Sequence, residues 1–309
     1  MSAVLTTALT ERFGLEVPVI SAPMAGISGG RLAAAVSAAG ALGMVGYGAG
    51  PADGLTREAE VAAASGRPFG IGLLAWVVES QPELVDAAIA ARPALISLAF
   101  GDYAPHVARI RDAGIAVTTQ AGTVADARVA VDAGVDILVA RGGEGGGHGR
   151  DAVATLPLLQ EVLEAIGIPV VAAGGIATAR GLAAVLAAGA VGAWVGTAFL
   201  ACTEGDGSDA ARAAVVAAAS DSTVYTTVLD TGRGVPWPEE FGGRALRNDF
   251  ATRWHGREAE LAAAGERLTE PPVWAGQAVG LVRAERSAAG VVADLAGAEA
   301  LLRRASTGS

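Results

Sequence analysis

An alternation constrains this chain more than any other feature. Through the first two-thirds, short apolar runs alternate with Ala-rich amphipathic stretches. Four of those stretches end on the same pair, Ala39-Gly40, Ala113-Gly114, Ala133-Gly134 and Ala188-Gly189. Gly just past a helix C-terminus supplies the left-handed conformation that closes the helix. The apolar runs predict strands over Val17–Met24, Leu42–Tyr47, Phe69–Trp76, Ala94–Phe100, Ala116–Ala121, Ile137–Arg141, Pro169–Ala173 and Ala190–Val195. They are too short for helices and too uniformly apolar for a sheet with one wet face, and strands buried on both faces read this way. Eight parallel strands joined by helical crossovers close most simply into an α/β fold of the (β/α)8 TIM-barrel type. An open doubly wound sheet is the alternative, but no G-x-G-x-x-G fingerprint occurs to support it.

The 309 residues exceed the roughly 250 that such a barrel needs. After Glu204 the rhythm stops. Gly/Pro-rich stretches (Gly232–Pro238, Pro271–Pro272), a charged run expected to be helical (Arg244–Gly265) and a last amphipathic helix (about Ala284–Arg304) follow. The expected organisation is a barrel over 1–204 and 276–309, with 205–275 as a small, mainly helical inserted domain near the barrel mouth. The final helix then returns as the eighth of the barrel.

Composition excludes several function classes. A net charge of −10 disfavours nucleic acid, whose phosphates call for clustered Lys and Arg. The one cysteine, Cys202, excludes a disulfide framework or multi-Cys metal site within the chain, and no metal is expected. None of the 22 basic residues is Lys, so a Schiff-base aldolase is excluded. The opening stretch MSAVLTTALTERFG has no positive start followed by an apolar run, so no secretory signal is expected. Glycines interrupt the most apolar stretch, 182–202, which reads as helix, turn and strand rather than a membrane span. A cytoplasmic protein is expected, and a homodimer stays open.

Barrel active sites sit at the C-terminal ends of the strands. The seventh predicted strand runs into Ala173-Gly174-Gly175, followed by Thr178 as a candidate helix N-cap, and the eighth runs into Gly196-Thr197. Glycines there let backbone N–H groups approach an anion, and a helix N-terminus adds its dipole. These two loops form the recurring phosphate site of barrels. The sixth loop, Arg141 to Arg150, sets six glycines around Glu144 and His148. Close approach to a flat ligand would use that freedom. Of the three histidines, His148 alone lies at a predicted strand end, and imidazole suits proton abstraction near neutral pH. His106 and His255 fall on amphipathic helices. Trp237, Phe241, Trp254 and Trp274 are candidate pocket walls.

The stretches at 18–46, 131–150 and 169–204, with GRALRNDF (243–250) and PPVWAGQAVG (271–280), resemble the nitronate monooxygenase family, formerly the 2-nitropropane dioxygenases. The resemblance implies an oxidoreductase with FMN as cofactor and a small-molecule substrate and O2 as reactants. Ala22, Pro23 and Met24 would lie against the isoalloxazine, Gly146 and Gly147 would line the flavin site, and Gln120 would reach it from the fifth strand. Gly174, Gly175, Gly196 and Thr197 would hold the phosphate, with Ala173 beside them. His148 matches the family's base, which removes the proton α to a nitro group. The resulting nitronate passes electrons to FMN, and O2 completes oxidation to a carbonyl compound and nitrite. Two positions depart from the family pattern. Gly72 stands where Asn is common, and Arg141 stands where Gln is common, which would favour an anionic group near the flavin. FMN-dependent NAD(P)H reductases of enoyl thioesters or quinones share the barrel and a similar loop, and a non-catalytic flavin- or phosphate-binding protein is the alternative of another class.

Overall fold

The apolar runs pair side by side into one eight-stranded parallel sheet. The computed structural model describes residues 5–307. In chain order the strands are β1 (Val19–Ser21), β2 (Gly43–Tyr47), β3 (Phe69–Leu74), β4 (Leu95–Ala99), β5 (Ala116–Ala121), β6 (Ile137–Arg141), a short β7 (Gly147–His148) outside this sheet, β8 (Val170–Ala173) and β9 (Gly192–Val195). Their order is β1-β9-β8-β6-β5-β4-β3-β2, and a parallel bridge from Ile20 to Leu42 brings the two end strands together. The fold is a TIM barrel, nearly closed by regular pairing.

Alternation along the strands explains the two apolar layers. Ile20, Met44, Leu95, Val139, Val171 and Trp194 point inward, and Leu9 and Phe13 of the helix Ala8–Phe13 plug the N-terminal end against them. The alternate residues, such as Val45, Ile71, Ile96, Val117 and Leu138, face the surrounding helices. Each fully buried Leu or Ile contributes about 1.5–3 kcal/mol relative to exposure.

Two predicted strands are trimmed for visible reasons. β1 starts after Pro18, and past Ser21 the chain turns, with Met24 N–H donating to the Ala22 carbonyl at 3.0 Å. β3 stops at Leu74 because Ala75–Val78 forms a helical turn. The Ala-Gly pairs do mark helix ends: Gly40, Gly114, Gly134 and Gly189 all carry positive φ.

The later chain differs more from expectation. The run Arg244–Gly265 is not one helix. It opens with β11 (Gly243–Leu246), followed by helices Asp249–Trp254 and Glu258–Ala264. β11 pairs antiparallel with β10 (Thr223–Thr226) on one side and with β7 on the other. This three-stranded sheet ties the later chain to the loop after β6, although most of the regular structure in 205–275 is helical. The final helix is two, Ala288–Ala296 and Ala298–Thr307, broken at Gly297. They pack on the helices Gly30–Ala38 and Ala179–Ala187, at the place of an eighth barrel helix.

Among the described residues no helix is long and apolar enough to cross a membrane. The reading of the N-terminus falls partly on residues 1–4, which lie outside the described residues.

Candidate active site

The loops after β1, β6, β8 and β9 meet at the C-terminal end of the barrel. The first of them, Ala22-Pro23-Met24, lies across the ends of β2 and β3. Gly46 and Gly72 are register partners on those strands. A Cβ on Gly72 would fall 2.3 Å from Pro23 Cγ, and one on Gly46 would fall 2.4 Å from the Pro23 carbonyl carbon. Both positions must be bare for the loop to settle there. The Pro23 ring fills the side-chain position of Gly72, so the Asn common in the resembling family has no room there. At the other end of the loop, Ala22 N–H donates to the Val195 carbonyl at 2.8 Å.

The loop after β6 is folded around Arg141. This side chain is 4% exposed, and its Nη2 donates to the carbonyls of Gly145, Gly146 and Gly147 at 2.8, 3.2 and 3.0 Å. Nη1 reaches the carbonyl of Arg150 at 3.3 Å. Burial pushes its pKa down to about 10, so it remains a cation at neutral pH. The expectation that Arg141 attracts an anionic substrate group is therefore overturned, because its donors are committed to the loop backbone. Arg244 of β11 holds the same loop from the other side, with Nε on the Gly143 carbonyl at 2.7 Å and Nη2 on Asp151 at 2.8 Å.

The glycines of this loop answer to protein neighbours. A Cβ at Gly149 would lie 2.4 Å from Arg141 Nη1, one at Gly142 would strike Thr155, and one at Gly146 would strike the backbone of Gly276. Gly147 alone, at φ +69°, has open space before it. Glu144 is a helix-capping group: its Oε2 accepts from Thr155 N–H at 2.7 Å, at the start of the helix Thr155–Ala165, and also from the Thr155 hydroxyl.

His148 lies on β7 with its imidazole 8% exposed. Its Nε2 is 2.8 Å from Oδ2 of Asp230, whose side chain is 6% exposed on the helix Val228–Arg233. Trp237 stacks on the imidazole with centroids 3.5 Å apart and an interplanar angle of 5°, and Trp274 tilts against it at 4.6 Å. Desolvation lowers the His148 pKa from its ordinary value, outweighing the upward pull of Asp230, while Arg141 and Arg233 add to the lowering. The ring is thus neutral at pH 7, the state a proton acceptor needs.

Trp237 also meets Trp76 and Phe100 edge to face, at 5.6 and 5.2 Å, and Phe100 meets Phe241 at 5.3 Å. Phe100 sits at φ +66°, a strained conformation for a bulky residue and one common at functional sites. Gln120 of β5, Phe100, Phe241 and Arg150 line a cavity of about 220 Å3 at this end of the barrel. Of the expected walls, Trp237, Phe241 and Trp274 are here, whereas Trp254 is buried with Val224, Leu229 and Phe250 in a separate apolar cluster.

The loops after β8 and β9 suit a phosphate. Gly175 has φ +71° and nothing closer than 3.7 Å to a would-be Cβ. Three residues on, Thr178 caps the nine-residue helix Ala179–Ala187, accepting from Gly181 N–H at 3.4 Å. A backbone open on its ligand side at a helix N-terminus fits an anion. Gly174 instead packs on Thr155, and the Ala173 carbonyl accepts from Gly142 N–H. The Thr197 hydroxyl accepts from Gly276 N–H at 3.0 Å, and Gly196 lies beside Ala22 and Met24. Cys202 is buried and its thiol is pushed up to about 12, which removes it as a nucleophile at neutral pH.

The family model described as nitronate monooxygenase matches residues 6–88 and 76–297. The chain belongs to the nitronate monooxygenase family. It is therefore an oxidoreductase enzyme, of a family that is flavin-dependent. A nitronate monooxygenase of Metarhizium robertsii is 36% identical over 89% of this chain and 88% of its own length. A 5-hydroxy-7a-methyl-1-oxo-octahydro-indene-4-carboxyl-CoA dehydrogenase of Mycobacterium tuberculosis is 37% identical over 85% of this chain and 74% of its own. The crystal structure of a nitroalkane oxidase from Streptomyces ansochromogenes superposes with a TM-score of 0.79 at 31% identity, covering 97% of this chain and 99% of that one. Sequence reasoning missed Asp230, Arg244, Trp76 and Phe100. For Asp230 the available signal was a lone carboxylate after two apolar residues, Val228 and Leu229.

Proposed function

We propose that this member of the nitronate monooxygenase family binds FMN and oxidises small nitro compounds or their nitronates, with His148 as the base. The observation that carries the reading is the buried, neutral His148 imidazole at the barrel mouth, in the same loop cluster as an open phosphate cradle. In this reading Gly175, the N-terminus of the helix Ala179–Ala187 and the Gly196-Thr197 loop hold the phosphate, and Ala22–Met24, Gly147 and Gln120 border the ring system. Bound FMN supplies the electron acceptor and the site of reaction with O2.

The chain's own part is proton transfer and exclusion of water. His148 takes the proton from the carbon α to the nitro group, and that C–H electron pair stays on the substrate as the nitronate. Trp76, Phe100, Trp237 and Trp274 keep the imidazole and its substrate dry, which strengthens every polar contact there. The segment 205–275 shapes the pocket, because it contributes Asp230, Trp237 and Trp274 to the His148 surroundings. A cytoplasmic enzyme is the corresponding localisation.

The relative from Mycobacterium tuberculosis, a carboxyl-CoA dehydrogenase by name, favours a second reading, redox chemistry on a CoA thioester. In that reading we take a nicotinamide as the electron partner. One experiment separates the two. Enzyme reconstituted with FMN is mixed aerobically with small nitronates and assayed for nitrite, then mixed anaerobically with NADH or NADPH, with an enoyl thioester added afterwards as the electron acceptor. Nitrite release with slow bleaching by nicotinamides supports the first reading. Rapid bleaching by a nicotinamide with no nitrite sinks it.

A further inference from the structure

Asp230 is an unusual residue in its place. It lies in a six-residue helix beside the fully buried Val228 and Leu229, and its carboxylate is almost wholly removed from water. A buried carboxylate is costly unless it is paired. One of its oxygens is given to His148 Nε2 at 2.8 Å, while the other, Oδ1, has no hydrogen bond and only a 3.7 Å approach to Arg233 Nη1. Among the described residues no cap, turn or loop is hydrogen-bonded to this side chain. Its one short contact is the imidazole, so its reason for being buried lies there.

We propose that Asp230 is a positioning residue for His148, holding the imidazole as the tautomer with its proton on Nε2 and leaving Nδ1 as the basic nitrogen. This rests on the reading of His148 as the base. A carboxylate only accepts hydrogen bonds, so a neutral imidazole 2.8 Å from it must present an N–H on that side. The other ring nitrogen then carries the lone pair, and Nδ1 makes no hydrogen bond among the described residues. The stacked Trp237 and tilted Trp274 hold the plane of the ring, and Asp230 fixes its rotation within that plane. When Nδ1 takes the substrate proton, the imidazolium forms against a carboxylate already in place, and the Nε2 proton stays where it is. Two cations oppose this ion pair, Arg141 from β6 and Arg233 from the helix of Asp230 itself. The two aromatic neighbours carry no charge.

The test is Asp230→Asn, read in two independent ways. Nitrogen-15 NMR of histidine-labelled protein, assigned with His148→Gln, reports the tautomer directly at pH 8, whether or not a substrate is known. Wild type is expected as the Nε2–H form. In Asp230→Asn, whose amide can donate to Nε2, the Nδ1–H form gains population. A wild-type His148 found as Nδ1–H, or a tautomer unchanged by the substitution, overturns the proposal. In turnover, Asp230→Asn is expected to lower kcat on a neutral nitroalkane by 10- to 1000-fold with KM little changed, and to leave the preformed nitronate within about threefold. The acidic limb of its pH profile moves to lower pH, since the carboxylate raises the His148 pKa. Asp230→Glu, which keeps the acceptor, recovers part of the loss. Equal losses on both substrates, or an unmoved limb, count against a positioning role. Should wild type oxidise no nitro compound, the functional reading fails while the tautomer measurement still decides the role of Asp230.

Discussion

Two glycine-rich loops lie side by side at the barrel mouth, after the paired strands β6 and β8, and they use glycine for opposite ends. In the loop after β6 the missing side chains make room for the protein itself. Arg141 fills the space at Gly145 and Gly149, Thr155 presses on Gly142, and the chain at Ala275–Gly276 presses on Gly146. In the cradle after β8, Gly175 takes a left-handed conformation and leaves its outer side clear. The first region is a folded platform that aims one side chain, His148. The second exposes bare backbone for an anion. A count of glycines cannot separate the two, but the neighbours of each would-be Cβ do.

If the platform exists to aim His148, removing that one imidazole should have the largest effect. His148→Ala is expected to lower turnover of a neutral nitroalkane by about 10²–10⁴-fold. Turnover of the preformed nitronate, which needs no base, should fall far less, and stopped-flow rates on the two substrates check this. Equal losses would turn the platform into a binding element like the cradle. The acidic limb of the wild-type kcat/KM profile follows from the depressed His148 pKa. The base is neutral above its own value and is lost as pH falls through that value, so the limb must lie below the ordinary 6.5. Stability follows the same sign. Between 6.5 and the lower native value the unfolded chain binds more protons, so this group's contribution is whole above 6.5 and declines as the pH falls through that interval.

Arg141→Leu should break the platform without touching the cradle. It leaves four loop carbonyls without their donor, and each buried polar group left unpaired costs about 1–3 kcal/mol. Deleting the buried charge offsets part of that, so a loss of about 2–4 kcal/mol in denaturant unfolding is expected, alongside FMN affinity within a few-fold of wild type. Gly175→Ala should do the reverse. A side chain in the left-handed region costs about 1–2 kcal/mol, and here it also stands where the anion approaches. FMN affinity, titrated by fluorescence, should fall about tenfold or more. If Gly175→Ala left FMN binding intact while Arg141→Leu abolished it, the two regions would have to exchange roles.

The contrast also shows what was legible in the chain. The barrel was, because local rules wrote it. Apolar runs of strand length and the Ala-Gly helix ends are readable one segment at a time, and they predicted all eight strands to within a few residues. His148 was legible because it ends a strand inside an unmistakable loop. Asp230 was not, since it reaches His148 across 82 positions from a six-residue helix with no motif. β11 was hidden because Arg244, Arg247 and the acidic residues beyond them look like the start of a charged helix, and only its pairing with β10 and β7 makes it a strand. The role of Arg141 was inverted for a related reason. Six glycines signal that something lies close, but sequence does not say whether it is a ligand or a guanidinium.

The smallest expected effect tests whether the cradle works through its helix or through a side chain. Thr178 accepts from Gly181 N–H at 3.4 Å, a long bond, and the helix it caps is held mainly by the buried Leu182, Ala183 and Val185. Thr178→Ala should therefore cost only about 0.5 kcal/mol, the low end for N-caps, or roughly 1–2 °C in melting temperature for a chain of this size. FMN affinity should fall no more than two- to threefold, because the backbone N–H groups and the helix dipole that favour an anion survive the substitution. A tenfold loss would mean that the hydroxyl itself holds the ligand. The cradle would then resemble the platform in relying on one aimed side chain, and the distinction between the two glycine regions would narrow to their conformations.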